Sequence, residues 1–445
     1  MGADLLSIAK SGAAAARTAL DLTAQNIANA SSEGYVRRTI SVSELAANSV
    51  SSAPTAVNLA GVRVNGVVRN ADVFRQAEVR RTGADAARAS TEVQGLENIE
   101  SSVEQTGVYD AIVAFEGSLQ QLLSDPTDGS LRAAVLEQGR TLSETFNVAS
   151  SSLDAVGKGL QFEAQDGVDE VNRLAGELAR VNLRLSRASD QSSDQTTLLD
   201  QRDSLLEQMS KVANVSASYN PDKTVSVTIG GTAGQTLVSG GTTATLAMAT
   251  AADGTISFTL DGAAASISSG ALAGQSQALT QLADTRSQLD TLAAKIVDVV
   301  NTAQANGADL NGNAGQPLFS GTGAGDMAMI ATNGSAIATA PAGSAANSRD
   351  PGNLNDLRSA LDAADPAGEM DTLLFTISSA VAGRTVTRDA LESIASTAKV
   401  ALQAQAGVDL DEEAVNLVRY QQAFQANGRV MQVASDIFDS ILNIR

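Results

Sequence analysis

The sequence predicts a mainly helical α+β protein: an elongated multi-domain rod with paired terminal coiled-coil helices, a long-helix central domain and a small inserted β domain. Apolar residues recur every seven positions at both ends of the chain. The interior carries long stretches of helical period, and a strand-like stretch rich in Thr and Gly begins near Asn214. These observations divide the chain into a terminal helical assembly module (1–45 with 408–445), a central mostly helical domain (46–213 with 275–407) and a small β domain (214–274).

The first helix is expected from about Ala3 to Asn29, where Leu6, Ala13, Leu20 and Ile27 form one heptad column. Ala9, Ala16 and Thr23 fall three residues after its members. The helix ends at Ser31-Ser32-Glu33-Gly34, a turn in which Gly34 can take positive φ. Val36, Ile40 and Val42 then alternate with polar residues, and Gly61 to Val68 alternates again, so two short strands follow. Helices are expected over 72–105, 108–123 and 130–156, with Asp125-Pro126 as a break, and from Leu160 to Val212 with an interruption near Ser189 to Gln195.

In the β stretch, Val225, Val227 and Ile229 alternate with Thr and Ser, as do Ile256, Phe258 and Leu260 between the turn pairs Asp253-Gly254 and Asp261-Gly262. Helix resumes near Ser276 and runs to Ala305. Asn306 to Pro351, rich in Gly, Ala and Asn, reads as loops with short strands. Helices return over 353–364, 368–382 and 387–406 before Gly407 stops the chain. A last helix from Asp411 to Arg445 would be about 50 Å long at ~1.5 Å per residue. Leu417, Phe424, Met431 and Phe438 repeat the heptad there, with Tyr420, Ala434 and Ile441 at the matching offset.

Composition narrows the chemistry. The chain of 445 residues has no Cys and no His, which removes thiolate nucleophiles, disulfides, Cys or His metal sites and His-based triads. With 30 basic and 50 acidic residues the formal charge is −20, which argues against nucleic-acid and anionic-membrane partners. No apolar run approaches the ~18 residues of a membrane span, so membrane insertion is not expected. The start, with Asp4 where a signal peptide would be basic, does not read as a cleaved secretory leader. Aromatic residues make up only 3% of the chain, so alanine and small polar residues must build the core, which suits closely packed helices better than a deep pocket.

Candidate sites give way to plainer readings. Asp409, Asp411, Glu412 and Glu413 stand immediately before an apolar helix, where capping and macrodipole compensation explain them better than metal or acid/base chemistry. Asp309, Asn311 and Asn313 match the first ligands of a calcium loop, but Ala314 replaces the required Gly and Ser320 the bidentate Glu. Gly230, Gly231 and Gly234 lack the Lys-Ser/Thr of a phosphate loop and read as a hairpin turn. No catalytic, metal or cofactor-binding residue is nominated. The heptad residues Leu6, Ala13, Leu20, Ile27, Leu417, Tyr420, Phe424, Met431, Phe438 and Ile441 are nominated as an assembly interface. Spacing leaves open whether the two ends meet each other or a neighbouring molecule. An isolated amphipathic end buries too little apolar surface to offset chain entropy, so the ends are expected to order on assembly.

Particular residues add a resemblance. The run Ala24 to Arg37, with Asn26, Asn29, Gly34, Tyr35 and Arg37 in place, resembles the N-terminal signature of the bacterial flagellar rod, hook and junction axial proteins. Asp411 to Ala426 is similar to the other end of that family. The interior runs Asp72-Val73-Phe74 to Arg80-Arg81, Leu122 to Val135, Leu198 to Leu206, and Gly307 to Gly312 with Pro317-Leu318-Phe319 are similar to its hook-associated members. Many members carry a larger outer β region than this chain has room for. The resemblance implies a non-enzymatic building block of the junction between hook and filament, exported by the flagellar type III apparatus without loss of a signal peptide. It implies hook protein, hook-associated protein 3, other copies of the chain and an export chaperone as partners, and no cofactor. Hook protein and hook-associated protein 3 are the alternatives within the family. Outside it stands a carboxylate-dependent hydrolase, for which no carboxylate pair is apparent.

Overall fold

A computed structural model describes residues 2–32, 34–47, 58–231 and 233–442. Its architecture is mainly helical with small antiparallel sheets, as the sequence predicts. Helix α1 (Gly2–Ala28) is followed by an antiparallel hairpin of β1 (Arg38–Ala47) and β2 (Asn58–Arg69), whose register shifts at Ser41/Val42 and again at Leu45/Ala46. Then come α2 (Val73–Glu104), α3 (Val108–Leu122), α4 (Gly129–Leu185) and α5 (Ser193–Val212). Strands β3 (Val215–Tyr219), β4 (Val225–Ile229), β5 (Gln235–Ser239) and β6 (Thr242–Thr243) make one sheet in that order. A separate sheet holds β7 (Leu246–Thr250), β8 (Ile256–Leu260) and β9 (Ala263–Ala265). Helix α6 (Ala271–Ala305) leads into an irregular segment with two short strand pairs, and α7 (Gly352–Ala364), α8 (Pro366–Ala406) and α9 (Leu410–Leu442) complete the chain.

Two helices run through positions where the sequence suggested breaks. Helix α4 continues across Gly157 and Gly159 as one helix of 57 residues. A glycine inside a helix costs only about 1 kcal/mol. At Gly157 it has a packing reason, because an added Cβ would lie 2.8 Å from Leu282 Cδ2 of α6. Helix α8 likewise passes through Gly383, with the Thr387 hydroxyl donating to the Gly383 carbonyl at 3.0 Å. Between α4 and α5 the expected interruption is present, and Ser192 caps α5 by accepting from the Gln195 amide. The Asp261-Gly262 pair, both at positive φ, turns β8 into β9 as a two-residue hairpin loop.

The chain forms two compact units, one of residues 1–84, 170–246 and 392–445 and one of residues 85–169 and 247–391. In the second, Phe115 meets Phe319 edge to face with centroids 5.6 Å apart, and Phe146, Leu119, Leu122 and Ile99 are fully buried in the same unit. The irregular segment 306–351 has little sheet ladder of its own, so side chains from the helices satisfy its backbone. Asn301 of α6 accepts from the Leu318 and Phe319 amides and donates to the Phe319 carbonyl. Gln304 accepts from the Ala338 amide, and Asn353 of α7 donates to the Ala338 carbonyl. The Asp309 carboxylate is occupied in the same way, accepting from the Asn311 and Asn313 amides, which makes the calcium-like run a self-capped turn.

Arg132 of α4 is the largest fully buried side chain of this unit. Its guanidinium donates to the carbonyls of Pro126, Gly334 and Ile337 and to the Thr339 hydroxyl at 2.6 to 3.0 Å, with no carboxylate among these acceptors. Replacing it by Met keeps the stem but takes the donor from the buried Pro126 and Ile337 carbonyls, while the Gly334 carbonyl keeps the Ile337 amide. Arg132→Met is expected to lower the unfolding free energy by about 2–4 kcal/mol. Denaturant titration checks this, and a change of a few tenths would show the carbonyls to be satisfied without the guanidinium.

Candidate assembly site

The two ends of the chain pack against each other, α1 on α9. The buried stripe of α1 is made of small residues, Ala9, Ala13, Ala16 and Ala19, continued by Leu22, Thr23 and Asn26. Small side chains let the backbones approach: a Cβ added to Gly12 would lie 2.6 Å from Asn427 Oδ1 of α9. Helix α1 also rests on the hairpin, where the Ser11 hydroxyl accepts from the Val62 amide at 3.1 Å.

The nominated interface residues divide. Ala13 is buried, while Leu20, Leu417, Tyr420 and Met431 are half-buried. Leu6, Ile27, Phe424 and Phe438 are exposed. The side chain of Ile441 lies outside the described residues. The stripe that α1 buries therefore follows the companion positions Ala9, Ala16 and Thr23 rather than Leu6 and Ile27, because close helix contact selects the smaller side chains and leaves the larger ones at the flank. Each end has a partner helix within a single chain, whereas the heptads left open a partner in a neighbouring molecule.

The signature residues converge at the base of this pair. Asn26, 1% exposed, accepts from the Tyr35 hydroxyl at 2.9 Å and the Arg38 amide at 3.1 Å, and donates to the Arg38 carbonyl and to Glu413 Oε2. Asn29 donates to the Gln25 carbonyl one turn back. Gly34, at φ 77°, supplies the left-handed residue that reverses the chain after α1. Arg37 then reaches the first turn of α9, with Nε on Glu413 at 2.7 Å and Nη2 on Glu412 at 3.0 Å, while its backbone amide donates to the Ala406 carbonyl at the end of α8. Burial works against the Arg37 charge, yet the bonds to Glu413 and the neighbouring Glu412 charge outweigh it and raise its pKa. The acidic run before α9 thus has two jobs. Asp409 caps the helix by accepting from the Asp411 and Glu412 amides, as the sequence predicts. Glu412 and Glu413 instead hold Arg37.

A second ion cluster adjoins this one and was not foreseen. Asp200 of α5 binds Arg38 at 2.5 Å and Arg69 at 2.7 Å, and Asp203 binds Arg69 at 2.8 Å and Arg202 at 2.7 Å. Gln76 donates to Asp203 at 3.0 Å. Two guanidinium groups also stack on rings, Arg38 over Tyr35 at 5.1 Å and Arg202 over Tyr219 at 4.7 Å. The Leu198 to Leu206 run therefore supplies both carboxylates that fasten the hairpin, with Leu198, Leu205 and Leu206 turned to the core. Arg38 stands next to a signature residue and Arg69 ends an alternating strand, so charge at the edge of a buried motif was the available signal. Burial pushes the Tyr35 phenol up; Arg38 opposes this, and the Asp200 and Glu413 charges add to it. Burial would also raise the Asp203 carboxyl, but Arg202 and Arg69 prevail and hold it below the ordinary carboxylate range.

Among the described residues no group of three or more His, Cys, Asp or Glu side chains is placed to hold a metal ion, and no helix is long and apolar enough to cross a membrane. The buried polar groups of this site fasten helices to one another. Comparison with known proteins sharpens this. The model of the flagellar hook-associated protein FlgK helical domain matches residues 93–319, and that of the flagellar basal body rod FlgEFG protein C-terminal region matches residues 403–444. The chain belongs to the flagellar hook-associated protein FlgK family. It is 25% identical to flagellar hook-associated protein 1 of Bacillus subtilis (strain 168), with 98% of this chain and 97% of that one covered. It is 26% identical to the protein of the same name from Escherichia coli (strain K12), covering 99% and 100% of the two chains. Among solved structures, the flagellar hook junction protein FlgK from Burkholderia pseudomallei aligns with 23% identity and a TM-score of 0.49 over 54% of this chain, which spans 46% of that one.

Two outcomes follow from the clusters. Arg37→Met leaves the Glu413 carboxylate, 2% exposed, without its cation, and is expected to cost about 3 kcal/mol. Glu413→Gln in that background should recover part of the loss, giving a coupling above about 1 kcal/mol in a double-mutant cycle; strict additivity would show that the pair does not act as a unit. For Asp203, a depressed folded pKa means stability that is fully present above the unfolded value near ~4 and lost as pH falls through the folded one. Asp203→Asn should therefore flatten the acid limb of stability against pH, and an unchanged acid limb would contradict the assignment.

Proposed function

We propose that this protein forms the junction between the hook and the filament of the bacterial flagellum and assembles there through its terminal helices. The observation that carries the reading is the pairing of α1 with α9, which leaves Leu5, Leu6, Ile8, Val433, Ile437 and Phe438 exposed on two helices from opposite ends of the chain. Exposed apolar residues in such number on one helix pair suit a surface that another protein covers. The nearly full-length relatives named hook-associated protein 1 support the place in the organelle.

In this reading residues 1–45 and 408–445 act as one assembly module. Residues 46–213 and 275–407 form the central mostly helical domain, and 214–274 a small β domain. Copies of the chain repeat a heterologous contact around a tube, which orders the ends and covers Leu6, Leu20 and Ile27 together with Leu417, Phe424, Phe438 and Ile441. Hook protein lies on the proximal side and hook-associated protein 3 on the distal side. An export chaperone engages the C-terminal helix beforehand, and the chain leaves the cell by the flagellar export route with its N-terminus intact.

Deletion of residues 1–30 or 411–445 tests this. Each truncated chain should retain cooperative unfolding of the unit built from residues 85–169 and 247–391, and should lose self-association and attachment to hooks. A strain lacking the protein should show, by electron microscopy, hooks without filaments and filament protein shed into the medium. Normal filaments in that strain would refute the junction role.

A further inference from the structure

Behind the Tyr35 loop lies a cavity of about 350 Å³, a size at the lower end of ligand-binding pockets. Its wall is built from the turn after α1, the first turns of α2, the middle of α5 and the end of α8, and includes Ser31, Tyr35, Val36, Val79, Leu402 and Val408. Arg80 of α2 also lines it. Arg80 is only 8% exposed and, unlike Arg37, Arg38, Arg69 and Arg202 around it, has no hydrogen-bond or ion-pair partner among the described residues. The carboxylates on the same wall are committed elsewhere. Asp203 holds Arg69 and Arg202, and Glu207 is paired with Lys211 at 3.2 Å. The guanidinium nitrogens keep contact with solvent and not with an acceptor, so an incoming anion can bond them. The apolar residues beside it favour an anion attached to an apolar body.

The chain presents that chemistry at its other end. Asp436 and Asp439 are exposed, stand three residues apart on one side of α9, and flank Ile437 and Phe438, which are 42% and 56% exposed. No basic residue occupies the last turn of the described helix. Carboxylates so close to a helix C-terminus oppose the macrodipole, so the helix gains if a cation meets them. Neither carboxylate has a hydrogen-bond or ion-pair partner among the described residues.

We propose that the Arg80 cavity receives the Asp436 to Asp439 end of α9 from a second copy of this chain, carboxylate on guanidinium and apolar side chain against Leu402 and Val408. The inference rests on the self-assembly reading above and names one contact by which a neighbour is fastened. An Arg-carboxylate pair shielded by apolar groups gives register as well as attraction, because the planar fork accepts its partner in one orientation.

The test uses the full chain and a dye-labelled peptide of residues 427–442, kept helical by a lactam bridge on the face away from Asp436 and Asp439. Saturable binding is expected. Arg80→Gln in the chain should weaken it at least tenfold, as should replacing both aspartates by Asn in the peptide, and Arg80→Lys should retain part of the affinity. Arg80→Glu should bind the peptide carrying Asp436→Lys and Asp439→Lys better than the original. Cooperative unfolding of each variant confirms its fold, and Leu402→Gln, which leaves the guanidinium in place, should weaken binding through the apolar wall. Absence of saturable binding, equal binding of a scrambled peptide of the same charge, or indifference to Arg80→Gln overturns the proposal. If the wild-type chain self-associates through its ends and yet fails these tests, the cavity assignment falls and the terminal-helix reading stands. Peptide binding by a chain that never self-associates overturns both, because the cavity then meets no second copy.

Discussion

The carboxylate of Glu413 is the point on which the terminal half of this molecule turns. It is buried at the start of the last helix and is held by Arg37, which follows the first helix, and by Asn26, inside that helix. Two stretches separated by nearly the whole sequence are thereby fixed to one another at a single group. The same Asn26 amide closes the chain reversal through Arg38, and the Arg38 side chain passes the connection on to Asp200 of α5. Removing these charges from water is expensive, and their mutual attraction offsets the cost only when the geometry is complete. A cluster of this kind contributes little net stability compared with an apolar core of equal volume. What it supplies is register: the last helix can start at one place and in one orientation.

The same device recurs wherever the backbone leaves regular structure. Asn182 donates to the Val225 carbonyl and accepts from its amide, and Asn172 does the same for Leu246. Asn301, Gln304, Asn353 and Arg132 hold the irregular segment after α6. Composition explains the preference. With no Cys, no His and no Trp, the chain has no covalent or metal staple and few large aromatic anchors. Buried amides and guanidinium groups bonded to backbone become the means of making one loop conformation better than its competitors.

The helix pair shows the complementary solution. Alanine on the buried stripe brings α1 and α9 close, and the larger apolar side chains are displaced to the flanks and stay exposed. The pair therefore satisfies its own contact and keeps apolar surface in reserve. In a family of flagellar structural subunits, where subunits must associate with further flagellar components, such a surface has an evident use.

Much of this was legible in the residues. Period and punctuation located the helices, the alternating strands and the Asp261-Gly262 turn, because each rests on local geometry. The absent Cys and His bounded the chemistry, and the signature from Asn26 to Arg37 pointed to the family. Local rules misjudged the glycines of α4 and α8, since one glycine costs a long helix little and at Gly157 the approach of Leu282 gives it a place. They also could not tell which side of a heptad would be buried, since an alanine stripe and a leucine stripe share one helix and only the approach of a second helix chooses between them. The acidic run before α9 reads locally as a cap, and its cap is there in Asp409. That Glu412 and Glu413 instead close on Arg37, and that Asp200 and Asp203 meet Arg38 and Arg69, was decided by the tertiary structure alone, because a charge finds its partner by distance in space and the sequence records only distance along the chain.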